Sequence, residues 1–218
     1  MDSAVGIHVL TGSGRLVAHA GRIRAQLRAA STAPIEQLAL DGGSVDVVVR
    51  DDPRMVIPEV GLGGYAAPDG HTVFLALDPD HEQFQWALER EVFRTLAHEL
   101  HHVARRQGSA RGDTLLDALV NEGLADHFSL EVTGMEPPPW AVALDPDQTA
   151  AMSARARDDY DNPRYNHWAW FFGSDACEIP RWAGYSLGFA LVGDYLERHP
   201  GSSAAALATV PSETFRRS

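Results

Sequence analysis

The chain has 218 residues, 44% of them hydrophobic, which suits one large globular domain or one domain with two lobes. A formal charge of -12 argues against nucleic acid or an anionic membrane surface as partner. All 18 basic side chains are arginine, and the one cysteine, Cys177, excludes an intrachain disulfide and fits a reducing compartment.

The first residues, MDSAVGIHVL, place an acid near the start and no basic segment before an apolar core, so no signal peptide and a cytoplasmic location are expected. Residues 5–10 form a short apolar run that reads as a strand. From Ser13 to about Ala30, Leu16, Val17, Ile23 and Leu27 recur at helical spacing. Val45 to Val49 is β-branched and bounded by Gly42-Gly43 and Asp52-Pro53, the pattern of a strand. Residues 56–71 hold four glycines and two prolines. No GK[ST] follows and no helix opens there, so the stretch reads as a flexible loop, not a phosphate loop. Thr72 to Leu77 is the next strand.

That strand feeds the stretch His98-Glu99-Leu100-His101-His102. Asp78-Pro79 reads as an N-cap with proline at the first helical position. Phe84, Leu88, Val92, Leu96 and Leu100 then recur every four residues, continued by Val103, while Glu91, Thr95, His98 and His102 form a separate polar stripe. His98 and His102 sit one turn apart on one face. The pattern is HExxH: two imidazoles that ligate zinc, and in Glu99 a carboxylate that is not a ligand and can take a proton from water. His101, and His127 further on, point elsewhere on their helices and read as non-ligands.

Arg105 to Gly112 is a polar turn, short enough for an antiparallel helix pair. A second helical pattern runs from an Asp113 cap to about Glu131, with Leu115, Leu116, Leu119, Val120, Leu124 and Phe128 on its apolar side. Glu122 and Asp126 share a face of it. Glu122 is the expected third ligand, Asp126 accepts the free N–H of a ligating histidine, and Asn121 supports the neighbouring backbone. Gly123 costs helix propensity and is expected to permit a close approach to the first helix.

HELHH, then Glu122 after nineteen intervening residues and Asp126 four beyond it, resembles the gluzincin clan of zinc metallopeptidases, whose thermolysin-like members share this spacing. HELHHVAR with LLDALVNEGLADHF, and the later PRWAGYSLGFALVGDYL, are similar to a bacterial family of predicted zinc-dependent proteases. The resemblance covers most of residues 72–196. It implies a gluzincin fold and peptide-bond hydrolysis, and it implies that residues 72–76 are an edge strand that pairs with extended substrate.

Glu136-Pro137-Pro138-Pro139-Trp140 breaks the helical pattern and is the best candidate for a crossing between lobes. Pro146 opens a helix to about Asp158, and Pro180 another to about Arg198. The apolar run Ala183 to Val192 within the latter is too short to span a bilayer. The aromatic residues of 160–185 read mainly as core. A gluzincin also needs a donor for the oxyanion of the tetrahedral intermediate. Tyr185 is the first choice; His167 and Arg181 follow. Cys177 reads as a passive thiol.

The expected fold is α+β. A small N-terminal sheet with helices, residues 1–107, precedes a mainly helical lobe, residues 108–218, within one metallopeptidase domain and with the cleft between the lobes. Zinc is expected on His98, His102 and Glu122, with Glu99 as general base and a peptide or protein as substrate. No Gly-x-Met-x-Asn block precedes the metal helix, which favours an endopeptidase or oligopeptidase over an aminopeptidase. Two alternatives stay open. A zinc-binding regulatory or peptide-binding module without turnover would have no need of Glu99. A zinc hydrolase of a non-peptide amide would show a small closed cleft.

Overall fold

The computed structural model describes residues 5–40, 45–108 and 112–216. The protein is α+β, and the chain divides into two compact units, Met1–Gln107 and Gly108–Ser218. No described helix is long and apolar enough to cross a membrane.

In the first unit, β1 (Val5–Val9), β2 (Val45–Asp51), β3 (Leu62–Ala66) and β4 (Thr72–Leu77) form one sheet in the order β1-β2-β4-β3. β1, β2 and β4 run parallel, and β3 is antiparallel to β4. Helix α1 (Ala20–Gln37) connects β1 to β2, as parallel strands require a long crossover. Period-two alternation sets the faces. Val45, Val47 and Val49 of β2 and Val73, Leu75 and Leu77 of β4 are buried, while Asp46 is exposed. Helix α3 (Val92–Gln107) packs on α1, β3 and β4. Its buried Val92, Leu96, Leu100 and Val103 recur at three- and four-residue steps, which keeps them on one side of a 3.6-residue helix.

Several expectations change here. Residues 62–66, expected within a flexible loop, are the edge strand β3. The strand at 72–77 is not an edge: it pairs with β2 on one side and β3 on the other. The two glycines that suggested a loop are there because neighbours crowd the strand from both faces. A Cβ on Gly63 would lie 1.9 Å from the Met55 carbonyl oxygen, and one on Gly64 would lie 2.4 Å from Glu99 Oε1. The first helix starts at Ala20, not near Ser13, and carries Pro34 into its last turn. Asp78 caps nothing. It accepts from Arg15 at 2.8 Å, and Arg15 also binds Asp51 at 2.5 Å and Asp80 at 2.6 Å. The helical path to HELHH begins instead at α2 (Phe84–Trp86), widens into a π turn over Ala87–Glu91 and tightens into α3.

In the second unit, α4 (Leu115–Thr133) opens with a capping box between Thr114 and Asp117, one residue later than expected, and closes on Gly134 in the left-handed region at φ 63. Of the polar turn expected before it, residues 109–111 lie outside the described residues. Helix α5 (Pro146–Asp159) has Asp145 and Gln148 as its capping box. Short α6 (His167–Phe172) precedes α7 (Ala183–Arg198). α7 starts three residues after Pro180, so that proline does not open it. The proline run at 137–139 lies inside this unit and is not a crossing between units.

Helices α4, α5 and α6 all pack on α7. The tightest crossing is glycine to glycine. A Cβ on Gly123 would lie 2.1 Å from the Gly188 carbonyl oxygen, and one on Gly188 would lie 2.2 Å from that of Leu119. The close approach that Gly123 permits is therefore to α7, where backbone meets backbone and neither side can yield cheaply. Gly123→Ala should destabilise the fold by about 1–3 kcal/mol in denaturant unfolding, as overpacking does. Gly193→Ala, on the same α7 but with no contact closer than 3.4 Å, should be neutral or stabilising. Equal losses from both changes would contradict the tight crossing.

Candidate metal centre

Helix α3 places His98 and His102 one turn apart, and their rings meet edge to face with centroids 4.6 Å apart. The two Nε2 atoms are 3.0 Å apart. Two nitrogens on one tetrahedral zinc are about 3.3 Å apart, given Zn–N bonds of about 2.05 Å. The pair therefore converges as two ligands would. Among the described residues, His98, His102 and Glu122 form a cluster that could hold a metal ion: one ligand atom from each lies within 4.8 Å of the others. Two imidazoles and a carboxylate make a donor set that suits zinc. His101, wholly buried, and His127, whose Nε2 lies 2.9 Å from the Phe189 carbonyl oxygen, are not part of the cluster.

Glu99 is 6% exposed and lies against Gly64 of β3. The Ala67 N–H donates to the Thr72 carbonyl at 2.7 Å, so it points toward β4. Antiparallel strands alternate residue by residue, so the N–H and C=O of Gly64 and Ala66 point the other way, off the sheet edge. The Ala66 carbonyl accepts from Arg106, which agrees with that direction. Gly64 thus presents its backbone pair beside the Glu99 carboxylate.

Just ahead of α3, at the end of the π turn, Glu91 is completely buried and pairs with Arg94 of α3 at 2.5 Å. Burial pushes the Glu91 carboxyl up from its ordinary range, and the Arg94 charge opposes the shift.

In the second unit, α4 carries Asn121, Glu122 and Asp126. Asp126 is fully buried, and Trp140 Nε1 donates to its Oδ1 at 3.2 Å. Trp140 is held in turn, because Ser186 Oγ donates to its carbonyl oxygen at 2.9 Å. The segment that reads in sequence only as a helix breaker thus delivers an indole N–H to a buried carboxylate, and no local sequence signal marks it. Asn121 is half-buried, and its side chain makes no hydrogen bond among the described residues.

The oxyanion candidates lie on and beside α6 and α7. Tyr185 is half-buried, with its ring edge-on to Phe171 at 5.0 Å. Arg181 lies over the Trp182 ring at 3.8 Å. His167 stacks on Phe171 at 4.5 Å and has its Nδ1 2.9 Å from the Tyr165 hydroxyl. Burial holds the His167 ring below its ordinary value, and the Glu122 charge pulls it back up. Tyr165 is pushed up to about 12, first by burial and then by the negative charge of Glu122, Asp117 and Asp113. Tyr165 therefore keeps its proton at neutral pH.

A family profile described as predicted Zn-dependent protease (DUF2268) matches residues 27–217. The chain belongs to this family. A curated relative, the uncharacterised protein YjaZ of Bacillus subtilis (strain 168), is 30% identical over 181 residues. The match covers 78% of this chain, and the chain spans 64% of the length of that relative. No solved structure matches the chain.

The contact between Gly64 and Glu99 gives a prediction for this family member. A methyl group on Gly64 meets the Glu99 Oε1 at 2.4 Å and the Thr95 Cγ2 at 2.7 Å. The Glu99 oxygen is the mobile end of a side chain, so the carboxylate should move while the sheet persists. On the expectation that Glu99 is a general base beside a bound metal, Gly64→Ala should keep the metal and most of its stability but lose roughly 100-fold in turnover, the scale of losing a positioned general base. Full turnover in Gly64→Ala would show that the position of Glu99 does not matter.

Proposed function

We propose that this chain is a zinc metallopeptidase of the gluzincin type, acting on an extended peptide or protein segment as an endopeptidase or oligopeptidase. The feature that carries the proposal is the placement of Glu99. It follows His98 on α3 and lies against an edge strand whose Gly64 turns its N–H and C=O outward. The His98, His102 and Glu122 cluster and the family's description as predicted Zn-dependent protease support the same conclusion.

In this proposal His98 and His102 offer Nε2 and Glu122 a carboxylate oxygen to one zinc ion. The ion, when bound, supplies a Lewis acid and brings water toward neutral pKa. The substrate pairs with the edge of β3: the Gly64 N–H donates to a peptide carbonyl, and the Gly64 carbonyl accepts a peptide N–H. Glu99 takes a proton from the attacking water and gives it to the nitrogen of the leaving amine. Asp126 accepts the free ring N–H of a ligating histidine, and Trp140 fixes the Asp126 carboxylate for that purpose. The excess of 30 acidic over 18 basic residues disfavours nucleic acid as the substrate.

Glu99→Ala separates this function from its rivals. The variant should keep zinc and fold, since Glu99 is not a ligand, and should lose hydrolysis of peptides that the parent cleaves from a library. It should still bind them, because β3 pairs with the substrate backbone without Glu99. Mass spectrometry of peptides retained by the immobilised variant should return sequences that the parent cuts. A zinc-loaded parent that cuts no member of a broad library would rule out a peptidase.

A further inference from the structure

The two faces of the sheet in the first unit differ. Val47 and Val49 of β2 and Val73, Leu75 and Leu77 of β4 are buried on the face that the helices cover. Period two turns Arg50, Gly63, Tyr65, Phe74 and Ala76 to the opposite face. The register sets Arg50, Ala76 and Gly63 side by side in one row across β2, β4 and β3, with Phe74 beside Tyr65 in the next row. The first row has one small side chain and one missing, between larger neighbours. It leaves a cavity of about 290 Å³. Ala76 and the Gly63-Gly64 backbone form its floor, Phe74 and Tyr65 one wall, Met55 the other, and Arg50 closes the inner end. All of these residues belong to the first unit.

The lining is mainly apolar. Met55 and Tyr65 leave large apolar side chains exposed at the mouth. The one charge, on Arg50, is already paired with Asp52 at 3.1 Å. Pockets for small molecules start at about 300 Å³, so this cavity suits a single side chain better than a cofactor. The row that forms it runs across the strands and so ends at the free edge of β3. That edge admits a peptide in one register. The Leu62 carbonyl is taken by the Ile57 N–H at 3.1 Å, and the Ala66 carbonyl by Arg106. Among the described residues of this edge, Gly64 keeps both its N–H and its C=O for an incoming strand, so a two-bond antiparallel pair forms there. The peptide residue opposite Gly64 shares a face with Glu99. Its neighbours on either side turn to the face of the cavity.

We propose that this cavity is a specificity pocket, which takes a large apolar side chain, aliphatic or aromatic, from a residue adjacent to the one paired with Gly64. The proposal rests on the peptidase reading, in which an extended peptide lies along β3. Backbone pairing alone is blind to sequence, and side-chain pockets make it selective. The single register matters for that reason: the cavity meets the same position of the peptide at every turnover. An acidic side chain is not the expected guest, because Asp52 already neutralises Arg50.

The test offers a peptide library to the zinc-loaded protein. The parent should prefer Leu, Met or Phe over Ala at one fixed position from the cleaved bond, by roughly 10–100-fold in kcat/KM. Ala76→Leu fills the cavity from its floor. It should abolish that preference or transfer it to Ala and Gly, with zinc content, unfolding midpoint and selectivity at other positions close to those of the parent. Tyr65→Ala changes an exposed side chain, removes one wall and should weaken the same preference and no other. A parent without an apolar preference, or a preference that survives both variants, would overturn the proposal. So would a parent dimer in sedimentation that both variants dissociate, which would give the cavity to a second copy of the chain. The peptidase reading fails separately, in a zinc-loaded parent that cuts nothing. The pocket is then read from the peptides that the immobilised parent retains. These should carry the apolar residue, and those retained by Ala76→Leu should lack it; no difference between the two sets would overturn the pocket.

Discussion

The first unit depends on what α3 is made to bury. Its apolar side, Val92, Leu96, Leu100 and Val103, is ordinary. The same helix also buries Arg94, His98, Glu99, His101, His102 and Arg105, with Glu91 just ahead of it. Burying a charge or a polar group without a partner costs several kcal/mol, so such a helix is tolerated only where partners are supplied. Glu91 and Arg94 supply each other at 2.5 Å. His98 and His102 bring two Nε2 atoms to 3.0 Å. Two such nitrogens share at most one proton between them, or one cation. A metal satisfies both lone pairs at once, and a carboxylate such as Glu122 balances its charge.

The second constraint is the absence of side chains at two neighbouring positions. Gly63 yields to the Met55 carbonyl on one face of the sheet and Gly64 to Glu99 on the other. β3 can therefore be a strand, lie hard against α3 and still turn a backbone donor and acceptor off its edge. A residue with a Cβ at Gly64 would satisfy the strand but displace the carboxylate. Strand propensity is given up at these positions in favour of close approach.

Much of this was legible in the sequence where the signal is local. HELHH sits on a four-residue apolar period, and α3 lies where that period runs. β2 and β4 are β-branched or apolar runs bounded by turn residues. What depended on distant partners was not legible. Gly61, Gly63 and Gly64 have the composition of a loop, and only Met55 and Glu99 explain why two of them belong in a strand. Strand order is a tertiary property, so the interior place of β4 could not be seen in Thr72–Leu77. Asp78 had the form of a helix cap until Arg15, 63 positions earlier, claimed it. Gly123 announced a close approach, but its partner Gly188 lies 65 positions later in the chain. At the candidate site, the residue types that ligate metal stand out by spacing. The Trp140–Asp126 and Tyr165–His167 contacts carry no spacing rule and emerge only from hydrogen bonds.

The account stands or falls on one ion in one place. The most direct test is diffraction from zinc-loaded crystals, with data collected on both sides of the zinc absorption edge. The account requires a single strong anomalous peak within about 2.0–2.2 Å of Nε2 of His98, Nε2 of His102 and a carboxylate oxygen of Glu122, with Glu99 beyond bonding distance. A peak that lacks Glu122, or that has Glu99 as a ligand, would contradict it.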